Sequence, residues 1–190
     1  ALVEYNSLLR EARPAFLASC IMRETMKQLY RFDLFPNLKK LSITQEDLLY
    51  PLGSFVLDGF SALKKLEELK ICIMRRSLGT TYIFKGLQHL QFLRKFSLRI
   101  SFLKDQDWLL LEDFLRKQSK LESFSLSLTD QLHSKSIYLK QNGNLESLIK
   151  ALKNKPLLKS LQFRSAFWSL EALSNGLAHL STMKNQLESL

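Results

Sequence analysis

LESFSLSL, residues 121–128, sets Leu121, Phe124, Leu126 and Leu128 against Glu122, Ser123, Ser125 and Ser127. Alternation of period two is the mark of a strand with one face in a core and the other in water. The stretch has relatives along the chain. LKKLSI starts at Leu38, LEELKI at Leu66, LRKFSL at Leu93, LKSLQF at Leu158 and a curtailed LESL at Leu187. All fit L-x-x-[LF]-x-[LIF]. With Leu121 included, the starts are spaced by 28, 27, 28, 37 and 29 residues, the fourth interval being one repeat length plus nine. A fixed period of this size means units stacked side by side, each too small to bury its own apolar face.

Between the strands the apolar period changes to that of a helix. Leu52, Phe55, Val56, Gly59, Phe60 and Leu63 recur at steps of three and four. So do Trp108, Leu111, Phe114 and Leu115, then Leu145, Leu148, Ile149 and Leu152, then Leu170, Leu173, Leu177 and Leu180. Asp105 or Asp107 is expected to cap the helix before Trp108, and Asn144 the helix before Leu145. Pro156 and Pro36 end helical runs before the strands at Leu158 and Leu38.

This pattern resembles the leucine-rich-repeat family, in its helix-containing, ribonuclease-inhibitor-like form with repeats near 28 residues. The likeness spans roughly residues 35–190, about five repeats and a truncated sixth. It implies an α/β leucine-rich-repeat solenoid, with a curved parallel sheet inside and helices outside. The pattern departs from the family at the eighth residue after each leading leucine, where an Asn or Cys usually bonds the turn backbone. Here Glu46, Met74, Ser101, Thr129 and Ala166 stand there. Of these, Ser101 and Thr129 have the hydroxyl to substitute.

Residues 1–34 lie outside the period. Met22, Met26, Leu29 and Phe32 suggest a helix serving as a cap or a degenerate repeat. The nine extra residues fall in the polar stretch 130–144, which ends in the turn signal Asn142-Gly143-Asn144. Insertions in repeat proteins map to loops, often on a binding face. His133, Lys135, Tyr138 and Lys140 are therefore candidate contact residues, with a solvated loop as the competing reading. The pattern stops in mid-repeat at Leu187 and Leu190, so the chain is expected to belong to a longer protein.

On each strand, the residues two, four and six places after the leading leucine point away from the core. Stacked, they form the inner curved surface. The rows contain Lys40, Ser42 and Thr44; Glu68, Lys70 and Cys72; Lys95, Ser97 and Arg99; Ser123, Ser125 and Ser127; Ser160, Gln162 and Arg164. Five cations against the one carboxylate of Glu68 leave +4 on these rows. The candidate partner-binding residues are Lys40, Lys70, Lys95, Ser97, Arg99, Ser125, Gln162 and Arg164. A polar, water-facing sheet with no partner is the plainer alternative.

The whole chain carries 28 basic and 18 acidic residues, a net charge of +10, which favours acidic partners. Hydrophobic residues make up 46%, enough for a folded core. No apolar run is long enough for a membrane helix, and the charged N-terminus does not resemble a secretory signal. Cys20 and Cys72 make no disulfide framework and suggest reduced thiols, hence an intracellular protein.

No catalytic pattern emerges. His89 and His179 sit in the similar segments GLQHL and GLAHL, a sign of repeat ancestry, and the glycines form no phosphate loop. The acidic pairs Glu67-Glu68, Asp105 with Asp107, and Glu112-Asp113 read as solvated charge. The expectation is a non-enzymatic protein–protein interaction scaffold, with no cofactor, metal or small-molecule substrate and an acidic protein as partner. Two alternatives stay open: an RNA- or DNA-associated subunit using the basic surface, and the substrate-recognition repeats of a ubiquitin-ligase receptor. Against nucleic acid stands the lack of aromatic platforms on the strand faces, where Phe96, Phe124 and Phe163 point inward.

Overall fold

The computed structural model describes residues 31–45, 59–73, 80–101, 103–129, 145–153 and 155–165, with positions 174, 175 and 178. Met22, Met26, Leu29, Leu52, Phe55, Val56, residues 130–144 and the stripe Leu170, Leu173, Leu177 and Leu180 lie outside them. A 3-10 turn, Phe32–Leu34, is followed by β1 (Lys40–Gln45), β2 (Glu68–Ile73), β3 (Lys95–Ile100), β4 (Ser123–Leu128) and β5 (Ser160–Ser165). Helix α1 (Thr80–Leu87) runs between β2 and β3, and α2 (Asp105–Lys117) between β3 and β4. Residues 59–62 and 145–153 are helical as well.

The strands form one parallel sheet in chain order, β1-β2-β3-β4-β5. Their register follows the sequence motif: Lys40 lies opposite Glu68, then Lys95, Ser123 and Ser160. The architecture is thus α/β with a parallel sheet, as the alternation of strand and helix periods predicts.

The apolar members of each strand fill one core. Leu41 and Ile43, Leu69, Ile71 and Ile73, Phe96, Leu98 and Ile100, Phe124, Leu126 and Leu128, and Leu161 are buried there. They meet the helical stripes Ile83, Phe84 and Leu87; Trp108, Leu111, Phe114 and Leu115; and Leu145, Leu148, Ile149 and Leu152. The leading leucines Leu66, Leu93, Leu121 and Leu158 are buried too. Each such side chain contributes about 1.5–3 kcal/mol. Phenylalanines couple successive strands: Phe96 and Phe124 are 5.8 Å apart between ring centroids, and Phe124 meets Phe163 edge-on at 5.9 Å. Phe32 stacks on Phe60 at 5.9 Å, so the 3-10 turn joins the same core.

Polar ties join neighbouring helices. Gln88 Nε2 donates to the carbonyl of Leu110, and Gln118 Nε2 to that of Leu90, at 2.8 and 2.6 Å. The buried Lys155 donates to the carbonyl of Arg116 at 2.6 Å, placing a cation at the negative end of α2. Burial, and after it the nearby Arg116 charge, pushes the Lys155 ammonium below its ordinary pKa.

Two sequence expectations need correction. Asp107 does cap α2, but from within the first turn: Lys104 is the residue before the helix, and its N–H donates to Asp107 Oδ2 at 3.2 Å. Asp107 is also fully buried rather than solvated, and accepts from the hydroxyls of Thr80 and Thr81 at 2.9 and 2.8 Å. Ser101 and Thr129 do not take over the turn-bonding role of an asparagine. Both side-chain oxygens are buried without a hydrogen-bond partner. Their backbone N–H groups instead extend the ladder to Ile73 and Ile100. A hydroxyl is shorter than a carboxamide and does not span the turn.

Candidate partner-binding face

The face of the sheet opposite the core is built by the strand alternation and squared off by the register. Three rows cross it. The first runs Lys40, Glu68, Lys95, Ser123, Ser160; the second Ser42, Lys70, Ser97, Ser125, Gln162; the third Thr44, Cys72, Arg99, Ser127, Arg164. All eight candidate residues on the strands therefore share one surface. His133, Lys135, Tyr138 and Lys140 lie outside the described residues.

Glu68 is the pivot of the first row. Lys40 reaches its Oε1 at 3.0 Å and Lys95 the same oxygen at 3.3 Å, one from each neighbouring strand. The hydrogen bond from Lys40 does most to hold the Glu68 carboxyl below the ordinary range; partial burial opposes it and Lys95 reinforces it. Two of the five cations are thus already engaged. Lys70, Arg99 and Arg164 make no ion pair among the described residues, and all three are exposed. Arg99 and Arg164 flank Ser127 two strands apart, about 10 Å at the usual spacing. Ser125 Oγ donates to Gln162 Oε1 at 3.2 Å across the neighbouring strands.

Cys72 departs from the expected exposure. It stands in an outward-facing row yet is 8% exposed, a free thiol whose short side chain lies between Thr44 and the longer Arg99. His89 is exposed on the turn after α1. Among the described residues, no three His, Cys, Asp or Glu side chains converge as a metal site, and no helix is long and apolar enough to cross a membrane.

One residue further back, a second charge ladder runs Lys39, Glu67, Arg94, Glu122. Lys39 pairs with Glu67 at 3.0 Å, Arg94 approaches Glu67 at 3.9 Å, and Arg94 meets Glu122 at 2.7 Å. The Glu67 carboxyl is held low, chiefly by the hydrogen bond from Lys39, with burial opposing. The alternation is visible in the sequence only once residues 27 and 28 apart are placed side by side.

These carboxylates set a pH dependence. Each has a lower pKa folded than in the unfolded chain, whose ordinary value is 4.5. Their contribution is therefore complete above that value and is lost as pH falls through the folded pKa values beneath it. The urea midpoint should decline below about pH 4.5. Glu68→Gln should flatten part of that decline while costing no more than about 1 kcal/mol near neutrality, since the pairs are exposed to solvent. A Glu68→Gln profile parallel to the parent's would show that the two lysines do not stabilise the ionised carboxylate.

Compared with models of known protein families, the chain matches none. Compared with curated proteins, it likewise gives no match.

Proposed function

We propose that the chain is a leucine-rich-repeat-type solenoid segment, acting as a non-catalytic scaffold that binds an acidic protein surface through its polar strand face. The observation that carries this reading is the set of cations Lys70, Arg99 and Arg164 on one regular surface, unpaired among the described residues, while Glu68 is engaged by Lys40 and Lys95. Among the described residues, an incoming carboxylate meets no competing ion pair at these three. Ser97, Ser125 and Gln162 supply short polar contacts between them.

Area limits what this face does alone. Five strands of six residues span about 24 Å by 20 Å, or roughly 500 Å². A stable interface uses about 800 Å² from each partner. A partner held by this sheet must therefore also touch flanking segments, and the loop 130–144 with His133, Lys135, Tyr138 and Lys140 is the candidate from sequence.

The test is lysine cross-linking of the full chain to its partner in native extract, with nuclease and without. Cross-links from Lys40, Lys70 or Lys95 to acidic peptides of one protein should survive nuclease. Arg99→Glu with Arg164→Glu should lower that capture by about tenfold or more. Capture that ignores the double reversal, or that vanishes with nuclease, overturns the reading.

A further inference from the structure

The residues that precede the strands line up along one rim of the sheet, apart from the strand face. Three residues before each strand stand Asn37, Lys65, Phe92, Lys120 and Leu157, in equivalent places by the strand register. Neighbours in this row touch. Lys65 Nζ donates to Asn37 Oδ1 at 2.7 Å, and Lys120 Nζ sits 4.8 Å from the centre of the Phe92 ring.

Behind them opens a cleft whose walls include Lys39, Lys64, Lys65, Arg94 and Lys120, with Glu67 as its one carboxylate. Arg94 is also held by Glu122 at 2.7 Å, so with both carboxylates counted the five cations keep a net +3 in a space a few residues wide. Glu67 is already engaged by Lys39 and Arg94. Lys64 has no partner among the described residues. The aromatic member is Phe92, which is 44% exposed, whereas Phe96 and Phe124 on the neighbouring strands are buried.

An open aromatic ring among cations has a specific use. Any nucleobase presents a π-face that stacks on such a ring, and the phosphates on either side need lysine or arginine. An acidic protein loop would use the charges and leave the ring without a role. The ammonium of Lys120 lies over the ring: a base that stacks there would replace it and leave the cation free for a phosphate. The strand face has no such ring, since Phe96 and Phe124 point into the core.

We propose that this rim cleft binds single-stranded nucleic acid, with a base on Phe92 and the adjoining phosphates on Lys64, Lys65 and Lys120. The site is independent of the protein-binding reading of the strand face.

The experiment is fluorescence anisotropy of the full chain with labelled oligo-U and oligo-dT, roughly 12 nucleotides long, across about 50–200 mM salt. Phe92→Ala should weaken binding by about tenfold and Phe92→Trp should restore it. Lys64→Glu with Lys120→Glu should abolish binding, and Arg99→Glu with Arg164→Glu should leave it unchanged. Urea denaturation of Phe92→Ala confirms that the fold survives, as the exposed ring allows. Three results would overturn the proposal: no binding at the lowest salt, binding indifferent to Phe92→Ala, or equal sensitivity to reversal on the strand face. The second would mean diffuse attraction of a polyanion and no stacking site. Failure here leaves the cross-linking test of the strand face untouched.

Discussion

Phe96→Ala is expected to lower the free energy of unfolding by about 3–5 kcal/mol, the usual cost of removing a fully buried phenylalanine. Phe96 is 1% exposed and sits at the middle strand of the sheet. Its ring meets Phe114 of α2 edge-on at 5.3 Å and lies 5.8 Å from Phe124 of β4. Alanine would therefore empty a space bounded by a helix and a neighbouring strand, none of which can close without shifting the others. The surrounding side chains lose dispersion contacts as well as burial. Urea denaturation followed by far-ultraviolet circular dichroism reads the change. Domains of this size are stable by about 5–15 kcal/mol, so the expected loss is a large share of the total. Phe92→Ala supplies the contrast, since it removes the same ring from an exposed rim and should stay within about 0.5 kcal/mol. Equal losses at the two positions would contradict the packing described for Phe96.

Asp107→Ala is expected to cost about 2–4 kcal/mol, though it removes no apolar contact. The buried carboxylate takes the hydroxyls of Thr80 and Thr81 and the N–H of Lys104. It therefore clamps the first turn of α1 to the first turn of α2. Alanine leaves a buried hydroxyl on Thr80 with no acceptor and removes the cap of α2. The mechanism predicts a partial rescue. Thr80→Val in the Asp107→Ala background removes the stranded hydroxyl, and the double variant should be more stable than the sum of the two single losses. Strict additivity would mean that Thr80 and Asp107 do not share a hydrogen bond in solution.

Asp107 also shows where sequence reasoning stops. In DQDWLLLEDFLRK it stands two places after Asp105 and next to Trp108, the first residue of the stripe, and it reads as one more solvated acid. Its burial depends on Thr80 and Thr81, residues 27 and 26 places earlier. No window around Asp107 contains them. Glu68 is a milder case. A charge count gives the strand face five cations, but the register pairs two of them with Glu68, so the charge left unpaired among the described residues gathers on β2, β3 and β5. Phe92 precedes the leading leucine of its motif, outside the alternation that sorts inward from outward residues, so the sequence pattern assigns its ring no face.

The candidate residues on the strands were legible as a set, because side-chain direction in a strand is a local property of period two. LESFSLSL and its relatives therefore determined by themselves the strand positions, the division into apolar and polar faces, and, through the helical stripes between them, a parallel α/β sheet. Only the tertiary structure decided which charges neutralise one another, which acid is buried and which ring stays open. Those outcomes rest on contacts between residues a whole repeat apart. Such contacts exist only after the strands have taken their register and the helices have docked.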